Sequence, residues 1–224
     1  MKTLKKIAGR ILRAGIPVNS VTRPLFTALY WIHVFFRESG IWALRFFYYE
    51  PLFKSQCRKV GRGLWMEQLP YLVNSGIIIL GDHVRLSGKP SFAFSSKLFP
   101  DPTIIIGNNC FIGHQTSFGI GKNIVIGNDC YIAGGVRIFD NDGHPLNAED
   151  RKQHLPPRRE DVREIRIGNN VWIGGHATIL KGVTIGDRSV VGACAVVTKE
   201  VPPDVVVAGN PARIVKTLSE RRTL

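Results

Sequence analysis

Histidine is the residue type here best suited to move a proton, and one of the six histidines stands in a distinctive setting. His144 follows Asp140-Asn-Asp-Gly and precedes Pro145, at the foot of a long polar stretch. An imidazole changes charge near neutrality, so it can take a proton and hand it on. By position alone His144 reads as a solvated loop histidine. Asp140 or Asp142 can orient its ring, while Asp-Asn-Asp-Gly is equally a plain turn sequence. His114 lies in Ile112-Gly-His-Gln and His176 in Ile173-Gly-Gly-His; His33, His83 and His154 carry no motif. The cysteines (Cys57, Cys110, Cys130, Cys194) include no Cys-x-x-Cys, so neither a disulfide framework nor a zinc site is expected. Reduced thiols fit a cytoplasmic protein.

These residues are positioned by an internal repeat. Aliphatic residues recur every six positions at Ile167, Ile173, Ile179, Ile185, Val191 and Val197, and earlier at Ile106 and Ile112 and at Ile126, Ile132 and Ile138. Small or β-branched residues (Val171, Ala177, Val183, Ser189, Ala195) follow four positions after the first five. A fainter copy begins near Leu80 and Leu86. A period of six fits neither a helix nor a simple alternating strand. It fits short strands joined by tight turns, three to a triangular coil, so that Ile167 stacks on Ile185, Ile173 on Val191 and Ile179 on Val197. Such a prism is open at both ends and needs caps. Between Ile138 and Ile167 the step is broken by an insertion, an extruded polar loop over 139–164. After Val197, prolines are expected to stop a further coil.

The excess of charge lies elsewhere. Of the net +13, residues 1–62 carry +10, twelve basic residues against Glu38 and Glu50. Leu4 to Leu12 form one apolar helical face. Thr22 and Pro24 open a second helix to about Arg37, Gly40 breaks it, and Ile41 to Tyr49 is a third candidate. The apolar run Leu25–Phe36 is shorter than the about twenty residues a spanning helix needs. The expected layout is therefore a basic, aromatic-rich helical appendage over 1–62, a β-solenoid over 63–218 and a tail over 219–224.

Asp142-Gly-His-Pro, Ile167-Gly-Asn-Asn-Val-Trp-Ile-Gly, Leu180-Lys-Gly-Val-Thr-Ile-Gly-Asp, Val196-Val-Thr-Lys-Glu-Val-Pro-Pro and Ala208-Gly-Asn-Pro-Ala-Arg together carry a likeness. From about Gly76 to Leu218 the chain resembles the hexapeptide-repeat acyltransferases, all-β solenoids with a left-handed parallel β-helix. Within them it is similar to the maltose/galactoside O-acetyltransferase branch and its relatives in polysaccharide biosynthesis. The resemblance implies a homotrimer with acetyl-CoA in a groove between neighbouring prisms, and transfer of acetyl to a hydroxyl of a sugar or surface-polysaccharide precursor. It makes His144 the catalytic base and places His114, with Asp142, at the acceptor. It sets Gly175, Ala193, Thr198, Lys199, Arg213 and Lys216 along the CoA groove, with no metal. A backbone N–H near Gly175 would meet the oxyanion, and Lys199 and Arg213 suit the nucleotide phosphates. The plainer readings are a corner residue for His114, a coil surface for His176, a solvated charge for Lys216, a prism cover for Trp172 and structural thiols for Cys110 and Cys130.

Alternatives on the same fold are an N-acetyltransferase or antibiotic acyltransferase, a carbonic-anhydrase-like histidine metal site, and a non-catalytic scaffold. The basic segment lacks a nucleic-acid reading motif. With Trp31, Phe35, Phe36, Trp42 and Phe46 it either holds the chain at an anionic inner membrane face or caps the prism.

Overall fold

The structure is a computed structural model describing residues 15–95 and 97–218. Contacts divide the chain into two units, Met1–Leu44 and Arg45–Leu224.

In the first unit one helix runs Arg23–Leu44. The Asn19 side chain accepts the N–H groups of Val21 and Thr22 at 2.9 and 3.1 Å, and Pro24 sits in the first turn, where a missing N–H leaves nothing unpaired. Gly40 does not break this helix. A single interior glycine costs only about 1 kcal/mol, too little to stop a long helix. The expected helix over Ile41–Tyr49 is accordingly not separate: Ile41 to Leu44 close the long one, and Arg45–Tyr49 form a π-helical turn leading into a helix at Glu50–Gln56. The helix expected from Leu4 to Leu12 lies outside the described residues.

The second unit holds the expected left-handed parallel β-helix. Its strands are two to six residues long and form three parallel faces, one sheet of eight strands and two of six. The register is the one the repeat demands: Ile167 opposite Ile185, Ile173 opposite Val191, Ile179 opposite Val197. The short strands of the coils turn one or two side chains inward, and these form a single buried column. The small residues Ala177 and Ala195 and the hydroxyl of Ser189 fill the corners.

One corner explains the Gly-Asx sequences. Asp82, Asn108, Asn128, Asn169 and Asp187 sit one above another. Each side-chain oxygen accepts the N–H of its counterpart one coil earlier, from Arg62, Asp82, Asn108, Asn128 and Asn169, at 2.7–2.9 Å. The next residue in each coil (His83, Asn109, Asp129, Asn170, Arg188) has φ of 55–60°, a conformation Asn and Asp tolerate better than most. The ladder satisfies turn N–H groups that a bare corner would leave to water.

The solenoid begins at Lys59, ahead of both the faint repeat near Leu80 and the expected boundary at residue 63. A first coil uses Lys59–Val60, Trp65–Met66 and Tyr71–Val73. The helix Glu50–Gln56 closes the end with buried Phe53, whose ring lies 6.2 Å from Phe92, itself stacked on Phe118 at 5.0 Å. At the other end the prolines do not stop the coil at once. Val201 bridges Ile185 and Val205–Gly209 pairs with Val190–Val191 before Ala212–Thr217 folds back antiparallel and ends the solenoid.

Candidate active site

The loop carrying His144 leaves the prism at the corner between the third face (Arg137–Phe139) and the first (Ile165–Ile167). Its root is Asp140, fully buried. The carboxylate accepts the N–H groups of Gly121, Lys122 and Asn123 at 2.6, 2.8 and 2.9 Å and the Asn141 amide at 2.9 Å. Burial pushes this carboxyl above the ordinary carboxylate range, against those four bonds, which pull it down. The Asp140 carbonyl accepts from Arg163 N–H, and the Arg163 carbonyl from Gly182 N–H, both at 2.9 Å, so the two ends of the loop are stitched together and to the next coil.

Lys181 completes the root. Its ammonium lies 2.5 Å from Asp142 and 4.0 Å from Asp161, with side-chain exposures of 16% for Lys181 and 29% for Asp142. Gly143 then turns at φ +75°, donating its N–H to Asn141 Oδ1 at 2.9 Å, and His144 stands exposed with Pro145 buried behind it. Beyond, Asn147 caps the short helix Ala148–Lys152, and Arg151 clamps the carbonyls of Pro145 and Leu146 at 3.0 and 2.6 Å. Neither expected carboxylate orients the His144 ring. Asp140 is committed to backbone N–H groups and Asp142 to Lys181, so the turn reading of Asp-Asn-Asp-Gly is the one observed.

His144 lines an open cleft of about 270 Å³. The returning loop supplies His154 and the wall Leu155-Pro156-Pro157; the prism corner supplies Asn74, Ser95 and Lys97. His154 and Lys97 were not anticipated. The signal for Lys97 was the 26-residue step between Asp82 and Asn108, which marks a second excursion at this corner. His154 carried no signal in the repeat.

The remaining expected residues occupy other places. His114, Gly175 and Ala193 share the corner between the second and third faces, one above another with Gly134. The His114 ring rests on Gly134, where a Cβ would fall 2.5 Å from its Cε1; His176, exposed on the coil surface, rests likewise on Gly135. The third face separates this corner from that of His144, and its strand Ser117–Ile120 spans about 13 Å. Within one chain His114 and His144 are therefore not brought together. Thr198 and Lys199 follow Val196–Val197 at the His144 corner, in the last coil. Arg213 and Lys216 are exposed on the returning strand, opposite Ala208 and Val206. Trp172 stands outward beside Tyr131 on the second face. Cys110 and Cys130 are buried at the Asx corner, each thiol 3.0 Å from a glycine carbonyl of the next coil. Among the described residues no group of three or more His, Cys, Asp or Glu is arranged to hold a metal ion.

Two repeat signatures match the chain: bacterial transferase hexapeptide (six repeats) over residues 164–199, and hexapeptide repeat of succinyl-transferase over 103–140. Galactoside O-acetyltransferase of Escherichia coli (strain K12) is 32% identical over 176 residues, 77% of this chain and 70% of that protein. A solved galactoside acetyltransferase in complex with coenzyme A is 31% identical with a TM-score of 0.53, covering 77% of this chain and 70% of that one. An N-acyltransferase from Bacillus cereus, solved with dTDP and 3-hydroxybutyryl-CoA, shares the fold at a TM-score of 0.62 and 20% identity, covering 76% of this chain and 88% of that one.

Proposed function

Since the chain belongs to the hexapeptide-repeat acetyltransferases, we propose that it moves an acetyl group from acetyl-CoA to a hydroxyl of a sugar, free or within a surface-polysaccharide precursor. The observation that carries this reading is His144, exposed in an open cleft on a loop pinned at both ends. The imidazole takes the proton of the attacking hydroxyl as its oxygen bonds to the thioester carbonyl. The tetrahedral oxyanion is met by a backbone N–H at Gly175. Collapse breaks the C–S bond, and the imidazolium returns the proton to the CoA thiolate, so no covalent acyl-enzyme is needed.

The separation of His114 from His144 within one chain supports an oligomeric site. In a homotrimer, the corner bearing His114, Gly175 and Ala193 of one prism faces the His144 corner of the next. Acetyl-CoA lies in the groove between them, its arm against Gly175 and Ala193. Thr198, Lys199, Arg213 and Lys216 serve the nucleotide end, where Lys199 acts as a point charge and Arg213 as a planar fork. Matched acceptors test the chemistry. With a hexose and its 2-amino counterpart, acetyl-CoA-dependent thiol release should favour the hexose, and acetylation of the amine alone would make the protein an N-acetyltransferase.

A second observation supports attachment to an anionic inner membrane face. The helix Arg23–Leu44 has no buried residue, and Trp31, Phe35 and Phe36 are 62, 67 and 68% exposed. The capping role that the sequence offered for residues 1–62 falls to the last part of that segment, through Phe53, while the aromatics of Arg23–Leu44 stay exposed. No described helix is long and apolar enough to cross a membrane, so the attachment proposed is peripheral.

A further inference from the structure

The loop over 139–164 sorts its charges onto two sides. One side is a shallow cleft lined by Asp150, Arg158, Glu160 and Asp161, where Arg158 reaches Asp150 at 3.9 Å and Glu160 at 3.5 Å. The other is the His144 cleft. Among the described residues its polar side chains are the Lys97 ammonium, the His144 and His154 imidazoles, the Ser95 hydroxyl and the Asn74 amide, with no carboxylate. The nearest loop acid in sequence, Asp142, is held by Lys181.

Among the described residues the lining holds one ammonium and no acid: Ser95, Asn74 and the imidazoles can both donate and accept, and only Lys97 offers a full charge. A neutral sugar presents hydroxyls that both donate and accept, and each donated bond needs an acceptor on the protein. The Asn74 amide nitrogen is used on the Phe94 carbonyl at 2.8 Å, which fixes that side chain to the prism and leaves its Oδ1 as an acceptor. What sets the cleft apart is the Lys97 ammonium with no carboxylate among the described lining residues to pair it, beside an apolar wall at Leu155-Pro156-Pro157. An ammonium in a cleft without acids matches a ligand that carries an acidic group, a phosphate or a carboxylate. Two further cations stand at the same corner: Lys122 and Arg159 flank the Phe99 ring, at 6.0 and 5.5 Å from its centroid.

We infer that the acetyl acceptor is an anionic sugar, a glycosyl phosphate or a uronic acid, whose acidic group seats on Lys97 and His154 and so sets a hydroxyl against His144. The inference rests on His144 being the base, and it narrows the acceptor class of that same site. Lys97 and His154 are then acceptor-positioning residues, and the selectivity they confer is expressed in kcat/KM for the acceptor.

The test uses the full chain with acetyl-CoA and three forms of one hexose: the free sugar, its uronic acid and its 1-phosphate. The wild type should favour one or both anionic forms by about tenfold or more in kcat/KM, and comparison of those two arms identifies the acidic group. Lys97→Met and His154→Gln should each lower the ratio of anionic to neutral turnover by about tenfold. Lys97 is exposed, so its replacement leaves the fold in place. Equal turnover of all three forms overturns the inference. So does a loss in the variants confined to KM for acetyl-CoA, which would assign the cleft to the phosphates of the donor. The underlying reading fails separately, through full activity of His144→Ala on whichever form is the best acceptor.

Discussion

Lys181 reaches back across 39 residues to hold Asp142 at 2.5 Å, tying a corner of a later coil to the second residue before His144. With Asp161 within 4.0 Å of the same ammonium, one side chain joins the outgoing and returning limbs of the loop. Reaction geometry depends on such pins, since a displacement of about 1 Å at a reacting group can cost about 100-fold in rate. Lys181→Met should therefore lower kcat by about 10- to 100-fold while KM for acetyl-CoA stays close to wild type. Asp142→Asn should do the same, and the double variant should lose little more than either single one. Steady-state kinetics on the four proteins, read beside their thermal midpoints, checks this. A loss of stability with kcat intact would make the pin purely structural.

Phe53 closes the open end of the prism by packing against Phe92, which continues the column to Phe118. Phe53→Ala opens a cavity over two buried rings and should cost about 3–5 kcal/mol of unfolding free energy in denaturant titration. Phe53→Leu should recover most of it.

The thiols differ in reactivity by position. Cys194 is exposed, while Cys110 and Cys130 are buried. Burial pushes the Cys57 thiol up to about 12, so it stays protonated, and a poor nucleophile, across the neutral and mildly alkaline range. Alkylation of the native protein between about pH 7 and 9 should label Cys194 and spare Cys57, with the remaining thiols reacting only in denaturant. Peptide mapping after iodoacetamide treatment reads the result, and fast labelling of Cys57 at neutral pH would contradict it.

The exposed aromatics of Arg23–Leu44 make a prediction for flotation. Vesicles containing anionic lipid should carry the full-length protein, neutral vesicles much less, and added salt should release part of it. Replacing Trp31, Phe35 and Phe36 together by alanine should abolish co-flotation. Equal recovery on anionic and neutral vesicles, or binding unaffected by the triple replacement, would remove the membrane role.

The prism was legible because its packing repeats. Ile167, Ile173 and Ile179 announce their partners by spacing alone, since the large inward residue recurs every six positions. The first coil fell mostly within the expected 63–218 but was not recognised as a repeat, although Val60, Met66 and Leu72 keep the same step. Its corner slot is held by Leu64 instead of a small residue, and methionine stands where the pattern wants a branched aliphatic. Gly40 misled because propensity is local, and one glycine is outweighed by the turns on either side of it. The site was legible only where a motif marked it. His144 had one. Lys97 and His154 did not, because two excursions from one corner brought them in from distant parts of the chain, where no periodicity relates them; Lys181 lay within Leu180-Lys-Gly-Val-Thr-Ile-Gly-Asp, but nothing in that motif pointed to Asp142. The Lys181–Asp142 pair also decides a question that the sequence left open, by taking the carboxylate that was a candidate to orient His144.

The central claim is that His144 carries the proton in acetyl transfer. It is tested most directly by acetyl-CoA turnover in His144→Ala, measured as acceptor-dependent thiol release at saturating substrates. The account predicts a fall of at least about 100-fold in kcat, with the thermal midpoint and oligomeric state of the wild type retained. Turnover within about twofold of wild type would contradict it.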